Sequence, residues 1–209
     1  MRIAIIGAGN VGAALGKRLA ACGHDIIFGV RDPLSAKSKA VLTAIPSAKA
    51  SDVVDSVSES ETIVLCTPWS ATRDVLHSTP DYSGKTLIDC TNPLKDGLAG
   101  LAVGFTTSGG ELVASWAPGA KVVKAFNTTG SKNMENPAYP SGRLAMLVCG
   151  DDSAAKTRVK ELVKELGFEA VDAGALSVSR YLEPLAMLWI HLAYVQGLGP
   201  DFALTINRR

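Results

Sequence analysis

The feature that most constrains the fold is a short apolar run that leads directly into a glycine-rich turn. Arg2–Ile6 carries four consecutive apolar residues and predicts a strand buried on both faces. Gly7-Ala8-Gly9-Asn10-Val11-Gly12 follows at once, with the spacing Gly-x-Gly-x-x-Gly. Apolar residues then recur at helical spacing, at Val11, Ala14, Leu15, Leu19 and Cys22. Strand, tight turn and amphipathic helix in this order predict the first βα unit of an α/β sheet.

Each glycine of this turn has a specific physical role. Gly7 permits the tight turn, Gly9 lets the backbone approach a pyrophosphate, and Gly12 lets the helix pack closely on the strand. The helix start also offers free N–H groups and partial positive charge to phosphates. The turn therefore predicts a dinucleotide site contacted by Gly7, Ala8, Gly9, Asn10, Val11 and Gly12.

Strand-like apolar runs alternate with helical stretches along the chain, which predicts an α/β, Rossmann-type doubly wound and mostly parallel sheet. The strands are expected at Arg2–Ile6, Asp25–Val30, Ala48–Ala50, Thr62–Cys66, Thr86–Asp89, Lys121–Lys124, Arg143–Cys149 and Glu169–Asp172. The first helix is expected at Val11–Ala21, ended by Gly23. A second is expected at Ala154–Leu166, with Ser153 as N-cap and Gly167 after its end; its buried residues are Val159, Leu162, Val163 and Leu166.

Charge and cysteine content exclude several classes of protein. The formal net charge of +1 lacks the excess of basic residues that is typical of nucleic-acid-binding proteins. No apolar run approaches the ~20 residues of a membrane helix. The amino-terminal apolar run is too short for a signal peptide. The four cysteines are far apart, which argues against a metal site and predicts buried, reduced thiols in a cytoplasmic protein.

The end of the second strand bears on which dinucleotide binds. An acidic residue there usually binds the ribose of NAD, whereas an arginine suits the 2′-phosphate of NADP. Val30 accepts no hydrogen bond from a ribose, and Arg31 can hold a phosphate with Lys37, and with Ser35, in support. The sequence therefore favours NADP. Asp32 leaves two alternatives open: it reaches the ribose and weakens this preference, or it begins the turn before Pro33.

Three later strands end in short polar turns, where ligands bind in open α/β sheets. The alternative is ordinary turn chemistry, which also favours Asn, Thr and Pro. Because three such turns share one sheet edge, we expect cofactor contacts there, from Cys66, Thr67, Pro68, Trp69, Asn92, Pro93, Ala125, Phe126, Asn127 and Thr128.

These segments, with Gly29-Val30-Arg31, Gly150-Asp151-Asp152 and residues 180–186, resemble the NADP oxidoreductases that act on the deazaflavin coenzyme F-420. They also resemble the related NADPH-binding domain of the STEAP metalloreductases. The resemblance spans nearly the whole chain and implies an NADPH site. The resemblance also implies that six residues lie around the nicotinamide: Pro68, Asn92, Pro93, Phe126, Asn127 and Thr128. It also implies a homodimer whose carboxyl-terminal helices help to shape the acceptor site.

One position departs from this family's pattern. Members often carry Ser-Arg where this chain has Val30-Arg31, so one phosphate-binding hydroxyl is missing here.

Two segments interrupt the α/β alternation. Residues 92–110 carry five glycines and predict either a lid over the substrate or a surface loop. The apolar stretch 176–198 contains Trp189 and Pro184 and predicts one or two helices packed on the sheet or on a second subunit. We accordingly divide the chain into an NADP-binding Rossmann domain, residues 1–173, and a small helical segment, residues 174–209.

Hydride transfer between nicotinamide and a flavin-like ring needs no strong general base. The sequence fits that chemistry, because it carries no convincing catalytic triad or carboxylate pair, and we assign neither a catalytic residue nor a metal ligand. Tyr139 and Tyr181 do not form the Tyr-x-x-x-Lys arrangement of short-chain dehydrogenases. His191 either lines an acceptor pocket or is structural.

Three functions stay open from the sequence. The first is transfer of hydride to or from deazaflavin or a flavin, with metal reduction through a flavin as a variant. The second is an NADPH-dependent reductase of a small imine or carbonyl, although the tail is short for that class. The third is a non-catalytic module that binds NADPH and a protein partner.

Overall fold

Strands and helices alternate through the ranges that the computed structural model describes, residues 1–79, 81–140, 142–207 and 209. The strands are β1 (Arg2–Ile6), β2 (Asp25–Gly29), β3 (Lys49–Ser51), β4 (Thr62–Leu65), β5 (Thr86–Asp89), β6 (Lys121–Lys124), β7 (Ala138–Tyr139), β8 (Gly142–Arg143), β9 (Ala145–Gly150) and β10 (Glu169–Gly174). The α-helices are α1 (Asn10–Ala21), α2 (Ala36–Ala44), α3 (Val53–Ser58), α4 (Trp69–Ser78), α5 (Gly109–Trp116), α6 (Ser131–Glu135), α7 (Ser153–Glu165) and α8 (Ser179–Ile190).

Eight of these strands form one sheet in the order β10-β9-β6-β5-β4-β1-β2-β3. Neighbouring strands are parallel except for β6 and β9, which pair antiparallel. The order β3-β2-β1-β4-β5-β6 is that of the doubly wound dinucleotide-binding sheet. The strands β1 and β4 are parallel, and the point between them is where the order in which the chain adds strands changes from one side of the sheet to the other. The predicted α/β fold with a mostly parallel sheet is therefore confirmed.

Apolar side chains fill both faces of the sheet, which explains why its central strands are continuously apolar. Ile3 and Ile5 point into the cluster that packs α1 and α7 on one face. Ala4 and Ile6 point into the cluster under α4 and α5 on the other. Successive residues of a strand face opposite sides, so an unbroken apolar run is required where helices cover both.

Most predicted boundaries differ from the observed ones by one or two residues, but the cap of α7 was wrongly predicted. Ser153 is the first residue of the helix, and Asp152 is its N-cap. The Asp152 carboxylate accepts a hydrogen bond of 2.8 Å from the Ala155 N–H. A carboxylate is also favoured by the partial positive charge at a helix start, so the acid takes the capping position.

The cysteines do not all behave as predicted. Cys90 and Cys149 are buried, whereas Cys66 is partly exposed and Cys22 is exposed. Cys22 follows the last residue of α1 as its C-cap, where the helix leaves the sheet. The expectation of four buried thiols therefore holds for Cys90 and Cys149 and not for Cys66. It is wrong for Cys22, because apolar spacing does not show where a helix face ends.

The predicted loop at 92–110 is partly ordered by its own backbone. Its first part folds on itself through bonds from Lys95 N–H to Gly100 O (2.8 Å) and from Ala102 N–H to Pro93 O (2.7 Å). A 3-10 turn covers Asp96–Leu98. Helix α5 begins at Gly109, so the loop ends at residue 108. Phe105, 99 % exposed and with a positive φ of 63°, projects from it.

The carboxyl-terminal segment folds back onto the domain that precedes it in sequence. Helix α8 continues through Pro184 and is followed by a π-helical turn, His191–Val195. The Trp189 indole then donates to the Phe202 carbonyl at 3.1 Å and stacks on the Phe202 ring. The division at residue 173 stays a prediction. Across the described ranges, no helix has the length and apolar character needed to cross a membrane.

Candidate dinucleotide and acceptor site

The glycine turn after β1 is built by contacts that admit no side chain. Gly7 has a positive φ of 107°, and its N–H donates to the Gly29 carbonyl at 3.1 Å. A Cβ on Gly12 would lie 2.0 Å from the Gly7 carbonyl oxygen. These two glycines are thus required by the fold itself, because they let α1 start directly against the strand ends.

Gly9 differs, because a side chain there would meet no protein atom. It is the N-cap of α1 with an ordinary φ of −78°, and no heavy atom lies within 4 Å of the position of a Cβ. No side chain in the described part of the chain caps the start of α1. The helix therefore presents open space and backbone N–H groups at one point, which fits the pyrophosphate of a dinucleotide.

The turn after β2 leaves two cations free. Arg31 and Lys37 are exposed, and their side chains have no hydrogen-bond or ionic partner in the described ranges. Asp32 accepts from the Leu34 N–H at 2.9 Å. Ser35 accepts from the Ser38 N–H as the N-cap of α2. Asp32 and Ser35 therefore build the turn, and Arg31 and Lys37 are the groups available to a phosphate.

A cavity of about 430 Å³ adjoins the glycine turn, at the carboxyl ends of β4 and β5. It brings together six of the residues predicted to bind cofactor: Val11, Cys66, Thr67, Pro68, Trp69 and Asn92. Its other wall is the loop, through Leu94, Lys95, Asp96, Gly97 and Leu98. The sequence predicts a lid or a surface loop over the whole segment 92–110, but it singles out none of these five residues, because the loop has no periodicity.

Within this cavity two predicted residues also have structural contacts. The Thr67 and Thr72 hydroxyls are 2.9 Å apart, and Thr72 donates to the Pro68 carbonyl at 3.0 Å. The Trp69 ring packs against Trp116 with centroids 5.3 Å apart. These contacts fix the turn that enters α4, so the cavity wall is rigid on this side.

Asn92 and Asn127 connect the ends of β5 and β6. The Asn92 side-chain amide donates to the Asn127 carbonyl at 2.9 Å. The Asn127 amide donates to Asn92 Oδ1 at 3.1 Å and to the Leu182 carbonyl at 3.2 Å. Asn127 Oδ1 is buried and has no partner in the described ranges. A buried acceptor without a donor is costly, and Asn127 is not among the residues that line the cavity.

The remaining residues predicted at these strand ends do not line this cavity: Pro93, Ala125, Phe126, Asn127 and Thr128. Pro93 is buried, and Ala125 and Phe126 lie in the core. Phe126 has a positive φ of 62°, and its ring meets Phe168 edge-on. Thr128 lines a second cavity, of about 250 Å³, between β9, α8 and the tail residues 203–206. His191 lines neither cavity.

A buried group of three charges, which the sequence reasoning missed, lies beside this edge of the sheet. Lys124 Nζ is 2.7 Å from Asp89 Oδ2 and 2.9 Å from Glu183 Oε1. All three side chains are at most 1 % exposed. Burial lowers the pKa of Lys124, but the two carboxylates outweigh it, and the net pKa is raised. We call Asp89, Lys124 and Glu183 the buried charge cluster.

Cys66 and Cys90 end two neighbouring strands and both line the cavity. The pKa of the Cys90 thiol is raised well above its ordinary value, first by burial and then by the adjacent Cys66 thiol. Cys90 therefore stays a neutral, weakly reactive thiol at the cavity floor.

Comparison with known proteins places the chain in a family. The family model described as NADP oxidoreductase, coenzyme F420-dependent, matches residues 2–93. The F420-dependent NADP reductase of Methanothermobacter marburgensis is 30% identical in an alignment 208 positions long, which covers 92% of this chain and 92% of that protein. The chain belongs to this family. It is an NADP-dependent oxidoreductase.

Two further relatives agree with this membership. A solved structure of a candidate F420-dependent NADP reductase from Arthrobacter sp. FB24 superposes with a TM-score of 0.88 at 30% identity, over 99% of both chains. The rat metalloreductase STEAP3 is 30% identical in an alignment 192 positions long, which covers 90% of this chain. The chain spans only 37% of the length of STEAP3.

Proposed function

We propose that this oxidoreductase transfers a hydride between NADP(H) and a deazaflavin, coenzyme F-420, or a flavin-like acceptor. The observation that carries the proposal is the 430 Å³ cavity, which opens beside the glycine turn and shares Val11 with it. A dinucleotide lying across the start of α1 would bring its nicotinamide toward this cavity, at the switch point of the sheet. The cavity is then where the second ring meets the nicotinamide.

The adenosine end of the cofactor would lie over the turn after β2. Arg31 and Lys37 supply two cations for the 2′-phosphate, since neither side chain has a partner among the residues that the structure describes. The Asp32 carboxylate instead accepts the Leu34 N–H, which supports NADP over NAD.

The cavity lining suits hydride transfer between two rings. The cofactors carry the chemistry, and the protein must orient the rings and exclude water. The titratable residues of the lining are Cys66, Cys90, Lys95 and Asp96. Lys95 and Asp96 are exposed on the loop, and Cys90 is a buried neutral thiol. We therefore assign the lining to positioning and propose no general base.

The cofactor preference is tested by titrating NADPH and NADH into wild type and Arg31→Ala, following nicotinamide fluorescence. Loss of a charged phosphate contact should weaken NADPH binding roughly 10- to 150-fold, while NADH binding stays unchanged. Arg73→Ala is the control, because Arg73 is an exposed arginine on α4. Equal affinity of the wild type for both nucleotides, or equal losses in both variants, would contradict the NADP assignment.

The acceptor is tested by measuring NADPH oxidation with coenzyme F-420, free flavins, a ferric chelate and a cyclic imine. The proposal expects the highest kcat/KM with the deazaflavin or a flavin. If the imine is reduced fastest, or if NADPH binds and no tricyclic acceptor oxidises it, the proposed acceptor class is wrong.

A further inference from the structure

Both ends of the cavity-lining loop are attached to the buried charge cluster. The loop runs from residue 92 to residue 108, and its first part lines the cavity at residues 94–98. Asp89 and Lys124 lie at the ends of β5 and β6, and Glu183 comes from α8. The buried charge cluster therefore connects the carboxyl-terminal segment, through Glu183, to the strand ends beside the cavity.

The cluster fixes the start of the loop through Thr91. Lys124 Nζ donates to the Thr91 carbonyl at 2.9 Å. Asp89 Oδ1 accepts from the Thr91 N–H at 2.9 Å and from the Thr91 hydroxyl at 2.7 Å. Asn92, the next residue, is then held by Asn127. These bonds leave the loop little freedom where it departs from β5.

Glu183 fixes the other end of the loop. Its Oε2 accepts from the Gly109 N–H at 2.8 Å, and its Oε1 accepts from the Gly110 N–H at 2.9 Å. A Cβ on Gly109 would lie 3.1 Å from Glu183 Oε1, and one on Gly110 would lie 2.6 Å from the Ser179 hydroxyl. The two glycines therefore let α8 approach the start of α5 closely enough for the carboxylate to bind both N–H groups.

The charges of the cluster explain why its three side chains and the two N–H groups are held in a single arrangement. Two carboxylates and one ammonium leave a net negative charge, and the two N–H groups at the start of α5 help to balance it. Each buried charge depends on the others, because an unpaired charge in the interior is strongly destabilising. The cluster therefore resists rearrangement.

We propose that Glu183 is a positioning residue for the acceptor side of the cavity. Glu183 joins the start of α5 to Lys124 and so holds the loop 92–108 in place at the cavity. Helix α8 does not line the cavity, but through Glu183 it sets the position of the loop that does. The proposal rests on the proposed function only in taking this cavity as the acceptor site.

The test compares Glu183→Gln with Glu111→Gln by hydrogen–deuterium exchange. The amide of Glu183→Gln has one acceptor oxygen for two N–H groups and carries no charge for Lys124. Glu111 pairs with Arg180 and joins the same two helices, α5 and α8, but both side chains are partly exposed. Its carboxylate also accepts from the Ser108 hydroxyl at 2.7 Å, and the side-chain oxygen of a glutamine can keep that bond. We expect exchange in residues 94–108 to quicken by about tenfold or more in Glu183→Gln and to stay unchanged in Glu111→Gln.

A second variant guards against a Glu183→Gln protein that does not fold. Gly110→Ala keeps all three charges and presses on Ser179 of α8. It should quicken exchange in the same residues. Unchanged exchange at residues 94–108 in both variants, or equal changes in the Glu111→Gln control, would overturn the positioning role. These outcomes require no acceptor and so do not depend on the proposed function.

Kinetics then test the link to the acceptor. Glu183→Gln should lower kcat/KM for the acceptor by about tenfold or more, with NADPH affinity within about twofold of wild type. Equal losses in NADPH affinity and in acceptor kcat/KM would instead indicate general damage and contradict the proposal. If no acceptor is turned over by wild type, the proposed function fails while the exchange result still stands.

Discussion

At the scale of single residues, neighbouring thiols at the cavity differ in accessibility. Cys66 lines the cavity and is partly exposed, whereas Cys90 beside it is buried with a raised pKa. Cys22 is exposed and lies at the opposite end of α1 from the glycine turn. The three thiols therefore form an internal series for testing where the cofactor binds.

We predict that saturating NADPH slows alkylation of Cys66 and leaves Cys22 unchanged. At a ligand concentration of about 100 times Kd, the free fraction and the Cys66 rate should fall about 100-fold. Peptide mass spectrometry after timed alkylation measures both sites in one sample. Equal alkylation of Cys66 with and without NADPH would place the nicotinamide away from the cavity.

At the scale of elements, two glycines of the same turn have different roles: one is required for packing and the other, we propose, for ligand binding. Gly12 is enclosed by the Gly7 carbonyl, whereas Gly9 faces open space. The same substitution at these two positions should therefore have different consequences.

We predict that Gly9→Ala loses NADPH affinity and only a small part of the stability of wild type. Its Cβ meets no atom of the described residues, so the free energy of unfolding should fall only by the cost of alanine at an N-cap, about 1 kcal/mol or less. The Gly12→Ala Cβ falls 2.0 Å from a carbonyl oxygen, and overpacking of this kind costs about 1–3 kcal/mol. Urea unfolding and NADPH titration of both variants check this. Tight NADPH binding by Gly9→Ala would show that the pyrophosphate lies elsewhere.

At the scale of the whole molecule, the carboxyl-terminal segment presents an apolar surface. Tyr181, Leu188, Tyr194, Val195 and Leu198 are between 54% and 74% exposed. Exposed apolar patches of this kind often mark a protein interface. With the homodimer implied by the family resemblance, we propose that this surface joins two copies of the chain.

We predict that wild type sediments as a dimer at micromolar concentration and that Leu188→Glu shifts it toward monomer. A charge in the centre of an apolar interface lacks a partner and weakens association. Leu34→Glu is the control, because Leu34 is also exposed, at 76 %, but lies before α2. A monomeric wild type, or a dimer unaffected by Leu188→Glu, would contradict this interface.

Local patterns in the sequence predicted the fold and part of the site. The apolar run before Gly7, the helical spacing of α1 and the stop at Gly23 each depend on neighbours in the chain, and the sheet follows from their repetition. The polar turns at strand ends could be assigned to one edge, because parallel strands place their carboxyl ends together. Six of the proposed cofactor residues do meet at the cavity there.

Other features depend on residues far apart in sequence, and only the tertiary structure shows them. Lys124 and Glu183 are 59 residues apart, and neither has a local partner that would mark it as buried. Asn92 lines the cavity beside the glycine turn, whereas Thr128 lines the second cavity, although both residues follow strands at the same edge of the sheet. The sequence determines what each segment can form, since propensity and spacing are local. Which charges are buried together, and which loop closes the cavity, are decided by packing.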